Sequence, residues 1–148
     1  MKKQILWIPL ILMTMLTLAA VSTRAQATYG VRGNVPFDFI VGDKTIPAGL
    51  IIAHGVSADS GGVLSIGNVA QGKQAMRVGR KLPGAEDSDQ CKLVFHKYGN
   101  RYFLAQIWMT GYPAWEVKKS KQERSIEWEM RLVKNFKPEV VILTAGMQ

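Results

Sequence analysis

Beyond residue 30 the chain alternates apolar and polar positions in short runs, the pattern of half-buried strands. Val31, Val35, Phe37 and Phe39 mark the first run, Val31 to Phe39, with Asp38 between the two Phe. Val41-Gly42-Asp43-Lys44-Thr45 reads as a turn, and Pro47-Ala48-Gly49 opens the next apolar run, Leu50 to Ala53. Gly61-Gly62 precedes a short strand at Val63–Ile66, and Gln74–Val78 gives another. The segment 83–90, PGAEDSDQ, is polar, acidic and led by Pro and Gly, hence an exposed loop. Short strands divided by Gly turns predict a mainly β fold, an antiparallel β-sandwich or small barrel.

The clearest hairpin lies further on. Lys92–Tyr98 and Arg101–Trp108 flank Gly99-Asn100. Gly in first place supplies the positive φ that a two-residue hairpin loop needs. Counting outward sets Tyr98 opposite Arg101, His96 opposite Phe103 and Val94 opposite Ala105. Unbroken alternation then puts Leu93, Phe95, Tyr102, Leu104, Gln106 and Trp108 on one face. Val94, His96, Tyr98, Phe103, Ala105 and Ile107 take the other. Both faces are largely apolar, so both need cover: one from the rest of the sheet, the other from a helix.

The sequence offers one helix, from about Ser120 to Phe136. Ser120-Lys-Gln-Glu123 has the form of a capping box. Ile126, Met130 and Val133 follow at helical spacing and form the stripe expected to dock on the sheet, widened by Trp128, Leu132 and Phe136. Glu127 can pair with Arg131 one turn on. Pro138 ends the helix through the residue before it, and Val140–Leu143 reads as a buried last strand.

The N-terminus is an address. Lys2 and Lys3 precede an uncharged, mostly apolar stretch from Ile5 to Ala20, 16 residues long. Small residues alternate in Thr23-Arg24-Ala25-Gln26-Ala27, as a signal peptidase requires. Cleavage is expected after Ala25 or after Ala27. The stretch is shorter than the ~20 residues that span a bilayer, which favours a signal peptide over an anchor. Residues 1–27 are therefore assigned to a leader and 28–148 to a single β-rich domain, exported to the periplasm or the outside. No transmembrane segment is expected once the leader is removed.

Composition refines this picture. The 148 residues are 47% hydrophobic and 20% charged, ordinary for one globular domain. The formal charge is +8 for the whole chain. Loss of the leader leaves 16 basic against 11 acidic residues, a formal +5. A mildly basic secreted domain suits an anionic envelope surface or polysaccharide better than nucleic acid, which demands a basic stripe and a reading module.

The two segments Val35-Pro-Phe-Asp-Phe-Ile-Val-Gly-Asp-Lys-Thr-Ile-Pro-Ala-Gly49 and Leu93-Val-Phe-His-Lys-Tyr-Gly-Asn-Arg-Tyr-Phe-Leu-Ala-Gln-Ile-Trp108 resemble a family of small secreted bacterial proteins of unknown function, abundant in acidobacterial genomes. The likeness spans most of the chain after the leader. Leu50 and Ile51 depart from the acidic residue and Tyr that often follow Pro-Ala-Gly in that family. The resemblance implies export and a compact β-rich domain; it implies no mechanism.

No catalytic constellation emerges from the residues, and the chain is read as a non-enzyme without a cofactor. Alternation puts Cys91 and His96 on opposite faces, which disfavours a thiol–imidazole dyad. A free, packed Cys is expected. His54 and His96 lack the convergent partners of a zinc site. Glu86, Asp87 and Asp89 lack the spacing of a Ca²⁺ loop. Ser57, Ser60 and Ser65 lie near Asp59 without a nucleophile elbow. Lys118, Lys119, Lys121, Lys134 and Lys137 make the C-terminal region basic, but Glu123, Glu127 and Glu129 share the helix and make a solvated face the simpler reading.

One ligand site is expected. Trp108 ends an apolar strand, and Gly111 and Pro113 turn the chain so that Tyr112 and Trp115 could frame an opening. Gln106 is the one amide on its face and needs a partner. Gln106, Trp108, Tyr112 and Trp115 together would suit an apolar molecule or a sugar face. The functional expectation is a domain that binds an envelope component, a partner protein or an apolar ligand. The alternative is a purely structural or interaction role at the cell surface.

Overall fold

The computed structural model describes residues 29–56, 62–83, 88–133 and 137–148. Eleven strands and one helix make up these residues. In chain order the strands are β1 (Gly30–Val35), β2 (Phe39–Val41), β3 (Lys44–Ile46), β4 (Gly49–Gly55), β5 (Val63–Asn68) and β6 (Lys73–Lys81). They continue with β7 (Lys92–Tyr98), β8 (Arg101–Met109) and β9 (Tyr112–Val117). The helix α1 (Lys121–Val133) follows, then β10 (Glu139–Thr144) and β11 (Gly146–Met147).

The strand order is β10-β7-β8-β9-β6-β5-β4-β1-β11. Its two ends, β10 and β11, are one stretch of chain interrupted only by Ala145. β10 pairs with β7 from Glu139↔Lys97 to Thr144↔Lys92, and β11 pairs with β1 at Val31↔Met147. The Ala145 N–H donates to the Cys91 carbonyl and keeps the ladder running through the bend. The sheet therefore closes on itself. β6 makes the opposite corner: residues 73–78 pair with β5, and Gly79–Lys81 pair with β9. Two sheets that share both edges through bent strands form a closed barrel, which resolves the choice between sandwich and barrel. Pairing is antiparallel except at Ile40↔Phe103, where β2 lies beside β8.

The interior is filled. Val31, Val35, Ile51, Ala53, Leu64, Ile66, Leu93, Phe95 and Ile107 are all at most 1% exposed. The β2–β3 hairpin closes over them, with Phe39 opposite Ile46 and both buried. Phe39 meets Phe95 edge-on at 5.2 Å, and Phe37 stacks on Tyr102 at 3.8 Å. The run expected from Val31 to Phe39 is thus broken: β1 ends at Val35, and the chain bends through Pro36–Asp38 before β2. Pro36 lacks the N–H that a continuing ladder would use. Asp38 closes the loop by accepting the Ala48 N–H at 2.8 Å.

The Gly99-Asn100 turn forms as expected, with Gly99 at φ 60°. The register holds for Tyr98↔Arg101 and His96↔Phe103, then slips. Val94 faces Gln106, not Ala105, because Ala105 is an extra residue in a β-bulge. The slip moves Ile107 onto the core face and turns Gln106 and Trp108 outward. Leu104 and Ile107, three apart, both enter the core by this means.

Helix and last strand also differ from expectation in detail. Ile126 and Met130 are half-buried, but Val133 is 84% exposed and Trp128 and Leu132 are also exposed. The described helix ends at Val133, and Phe136 lies outside the described residues. β10 is not buried: Val141 and Leu143 pack on the core, while Val140 and Ile142 are 56% and 57% exposed. The expected leader, with Ala25 and Ala27, also lies outside the described residues. Among the described residues no helix is long and apolar enough to cross a membrane.

Candidate functional site

The face of β7 and β8 that points away from the core carries Lys92, Val94, His96 and Tyr98 from β7, and Phe103, Gln106 and Trp108 from β8. β10 adds Val140 opposite His96 and Ile142 opposite Val94. β9 adds Glu116 opposite Gln106. Tyr98 and Phe103 are buried on this side and meet edge-on at 5.7 Å.

The helix is tied to this face by a carboxylate. Ser120 caps α1, its hydroxyl accepting the Glu123 N–H at 3.0 Å. The Glu123 side chain does not act as the back half of a capping box. Its Oε1 lies 3.1 Å from His96 Nδ1 and accepts a longer contact from the Tyr98 hydroxyl. Glu123 is 3% exposed, the buried residue of the helix. Burial, reinforced by the charges of Glu123 and Glu127, pushes the Tyr98 hydroxyl well above its ordinary value. One signal for this contact was present in the sequence. Glu123 stands three residues before Ile126 and seven before Met130, on the stripe that faces the sheet.

One turn on from Glu123 the charges pair differently. Glu127 accepts from Lys119 at 2.8 Å and from Arg131 at 2.7 Å. The Lys119 hydrogen bond, helped by Arg131 and opposed by burial, holds the Glu127 carboxyl below its ordinary value. Glu139 on β10 is occupied by Lys97, and Glu116 by Arg80.

The four residues expected to frame one opening do not converge. Gln106 and Trp108 lie on the outer face, and the Trp108 indole N–H donates to Gln106 Oε1 at 2.8 Å. Lys92 Nζ stands 4.2 Å from the centre of the Trp108 ring. Tyr112 and Trp115 sit within β9, not in a turn outside the strands, and pack against the core. Trp115 is opposite Ile107 and Tyr112 opposite Met109. The two pairs separate because Trp115 is opposite Ile107, whose side chain points to the other face of the sheet from its neighbour Gln106. The amide's partner is a neighbouring indole, and Trp115 packs over the backbone at Gly62 and Gly79.

A cavity of about 380 Å³ opens elsewhere, between the β2–β3 turn and β6. Asp43, Lys44, Gln74, Met76 and Arg77 line it. Lys44 donates to the Gln74 carbonyl and Arg77 Nε to the Lys118 carbonyl. No sequence motif marks this groove, because its wall joins residues thirty or more positions apart.

The remaining candidates are dispersed. Cys91 Sγ lies 3.4 Å from the Thr110 hydroxyl and from the Thr110 N–H, on a different strand face from His96. His54 is on β4, opposite Ser65. Ser65 is buried and accepts from the Gln74 amide. Asn68, also buried, donates to the Pro47 and Ala48 carbonyls and accepts the Gln71 N–H. Among the described residues no three His, Cys, Asp or Glu gather as a metal would need. Ser57, Asp59, Ser60, Glu86 and Asp87 lie outside the described residues, whereas Asp89 is in a bend.

Comparison with protein-family models, with curated proteins and with solved structures finds no match to the chain.

Proposed function

We propose that the protein is an exported, non-enzymatic β-barrel domain that works through its outer surface at the cell envelope. The leader read in residues 1–27 supports the export. The observation that carries the surface role is the placing of apolar residues. The core side chains of the barrel are buried, yet Trp128, Leu132, Val133, Val140 and Ile142 are more than half exposed on the helix and β10, as are Met76 and Val78 on β6. Large apolar side chains kept in water favour contact with another surface over capture of a small molecule within.

The polar residues of the two motifs support the same reading. Asp38 ties a loop, His96 holds the helix and Gln106 holds Trp108. Each has a structural occupation within the fold.

Cell fractionation tests the proposal. The full chain is expected in the exported fraction with an N-terminus at Gln26 or Thr28, and in association with the envelope. Trp128→Ser/Leu132→Ser is expected to keep its thermal stability and to lose that association. Intact Met1 on the cytoplasmic side, or unchanged association of the variant, would overturn it.

A further inference from the structure

The surface reading leaves open what the helix touches, and the charges around α1 narrow the choice. Trp128 and Leu132 are four residues apart and therefore lie one above the other along the helix. They are 66% and 70% exposed. Lys121 extends this line and Arg124 and Arg131 run beside it, all three exposed. Glu123, Ile126 and Met130 occupy the side turned to the barrel. The helix is thus amphipathic toward the sheet and again, separately, toward solvent.

Most acids on and around α1 are already occupied. Glu123 is buried against His96, and Glu127 is bonded to Lys119 and Arg131. Glu139 is bonded to Lys97 and Glu116 to Arg80. Glu129 is the remaining exposed acid of the described helix. Against it stand exposed Lys118, Lys121, Arg124 and Lys137. A ridge with Trp and Leu at its crest and unneutralised cations along its flank complements a surface that is anionic outside and apolar a few ångströms down. That is the geometry of an interfacial helix, which sinks its apolar side about 5–10 Å into the headgroup boundary. Trp is favoured at this depth. An anionic polysaccharide would meet the cations but offers Leu132 no apolar medium.

We propose that the outward ridge of α1, Trp128 and Leu132 flanked by Lys121 and Arg124, seats on the surface of an anionic lipid bilayer. The inference rests on the surface role proposed above and specifies the surface. Each cation near an anionic leaflet strengthens binding about five-fold, so attachment is expected to be reversible and to weaken with salt.

Vesicle flotation tests it, using protein purified from the exported fraction of cells that express the full chain. The probes are vesicles of mixed phosphatidylglycerol and phosphatidylcholine, and vesicles of phosphatidylcholine alone. The wild type is expected to float with the anionic vesicles, to release them as salt is raised, and to show a blue-shifted tryptophan emission when bound. Trp128→Ser/Leu132→Ser and Lys121→Gln/Arg124→Gln are each expected to bind at least about 10-fold more weakly, with melting temperatures like the wild type. No binding by the wild type, or equal binding by the Ser pair, overturns the inference. So does self-association of the wild type that the Ser pair abolishes, which would make the ridge a contact between copies. In either case a loss of envelope association by the same variant in cells would leave the broader surface role standing; an unchanged association would remove both.

Discussion

Glu123 Oε1 on the helix lies 3.1 Å from His96 Nδ1 on the barrel, and this contact fixes where α1 leaves the sheet. His96→Phe would strand a buried carboxylate and is expected to cost about 3 kcal/mol in denaturant unfolding. His96→Phe/Glu123→Leu, with no charge left to desolvate, is expected to recover most of the loss. Equal destabilisation of the two variants would mean that packing alone sets the energy.

The same corner predicts two slopes of stability with pH. Burial raises the folded-state ionisation of Tyr98 above the ordinary value of 10.0. Its contribution is complete below that value and is lost as the pH rises beyond it, because the unfolded chain ionises first. Glu127 is held below its ordinary 4.5 by Lys119 and Arg131. Its contribution is present above that value and is lost as the pH falls through the folded one. Tyr98→Phe is expected to flatten the alkaline fall in melting temperature, and Glu127→Gln the acid fall.

Gly62 and Gly99 both have positive φ, 93° and 60°. A Cβ at Gly62 would come within 2.6 Å of the Gly79 carbonyl oxygen and 2.9 Å of Trp115; at Gly99 it would meet open space. Gly99→Ala is expected to cost about 1 kcal/mol from backbone strain alone. Gly62→Ala is expected to cost clearly more, about 3 kcal/mol. Denaturant midpoints of the two variants give the comparison.

Two helix variants check which stripe docks. Ile126→Asp, on the half-buried side, is expected to lower stability by about 2 kcal/mol. Val133→Asp, on a residue 84% exposed, is expected to stay within about 0.5 kcal/mol of the wild type. Reversal of that order in thermal melts would place the wrong side against the barrel.

Cys91 is buried between β7 and Thr110. Cys91→Ser is expected to keep its contacts with Thr110 and to change stability by about 1 kcal/mol or less. The thiol is expected to react with a soluble disulfide reagent only as the protein unfolds, which timed labelling in denaturant would show.

Local signals carried much of the architecture into the sequence. The Gly99 turn, Ser120 as a cap and the helix followed by a strand rest on interactions within a few residues, and pattern is enough to find them. The faces of β8 were harder to read. Alternation assumes that each residue is paired, and one bulged Ala105 inverts every position after it. The spacing of Leu104 and Ile107, two large aliphatic residues three apart in a strand, was the available hint. Tyr112 and Trp115 were misplaced because Gly111 and Pro113 look like a loop, whereas β9 accommodates Pro113 beside a second irregularity between Ile107 and Met109. The groove between β3 and β6 has no local signature at all, since only the tertiary fold brings Lys44 to Gln74.

The stretch from Glu139 to Met147 is the last stave of the barrel, and its position sets a timing. Every other strand precedes it in the chain, and Val31↔Met147 joins residues 116 positions apart. Such distant pairings form late, after the loop between them has been ordered. Without that stave the sheet would be an open ribbon with two raw edges, on β1 and β7. A chain drawn through a membrane pore amino end first would remain in that unlatched form through most of its passage. It would lock only when the closing stave had followed it across.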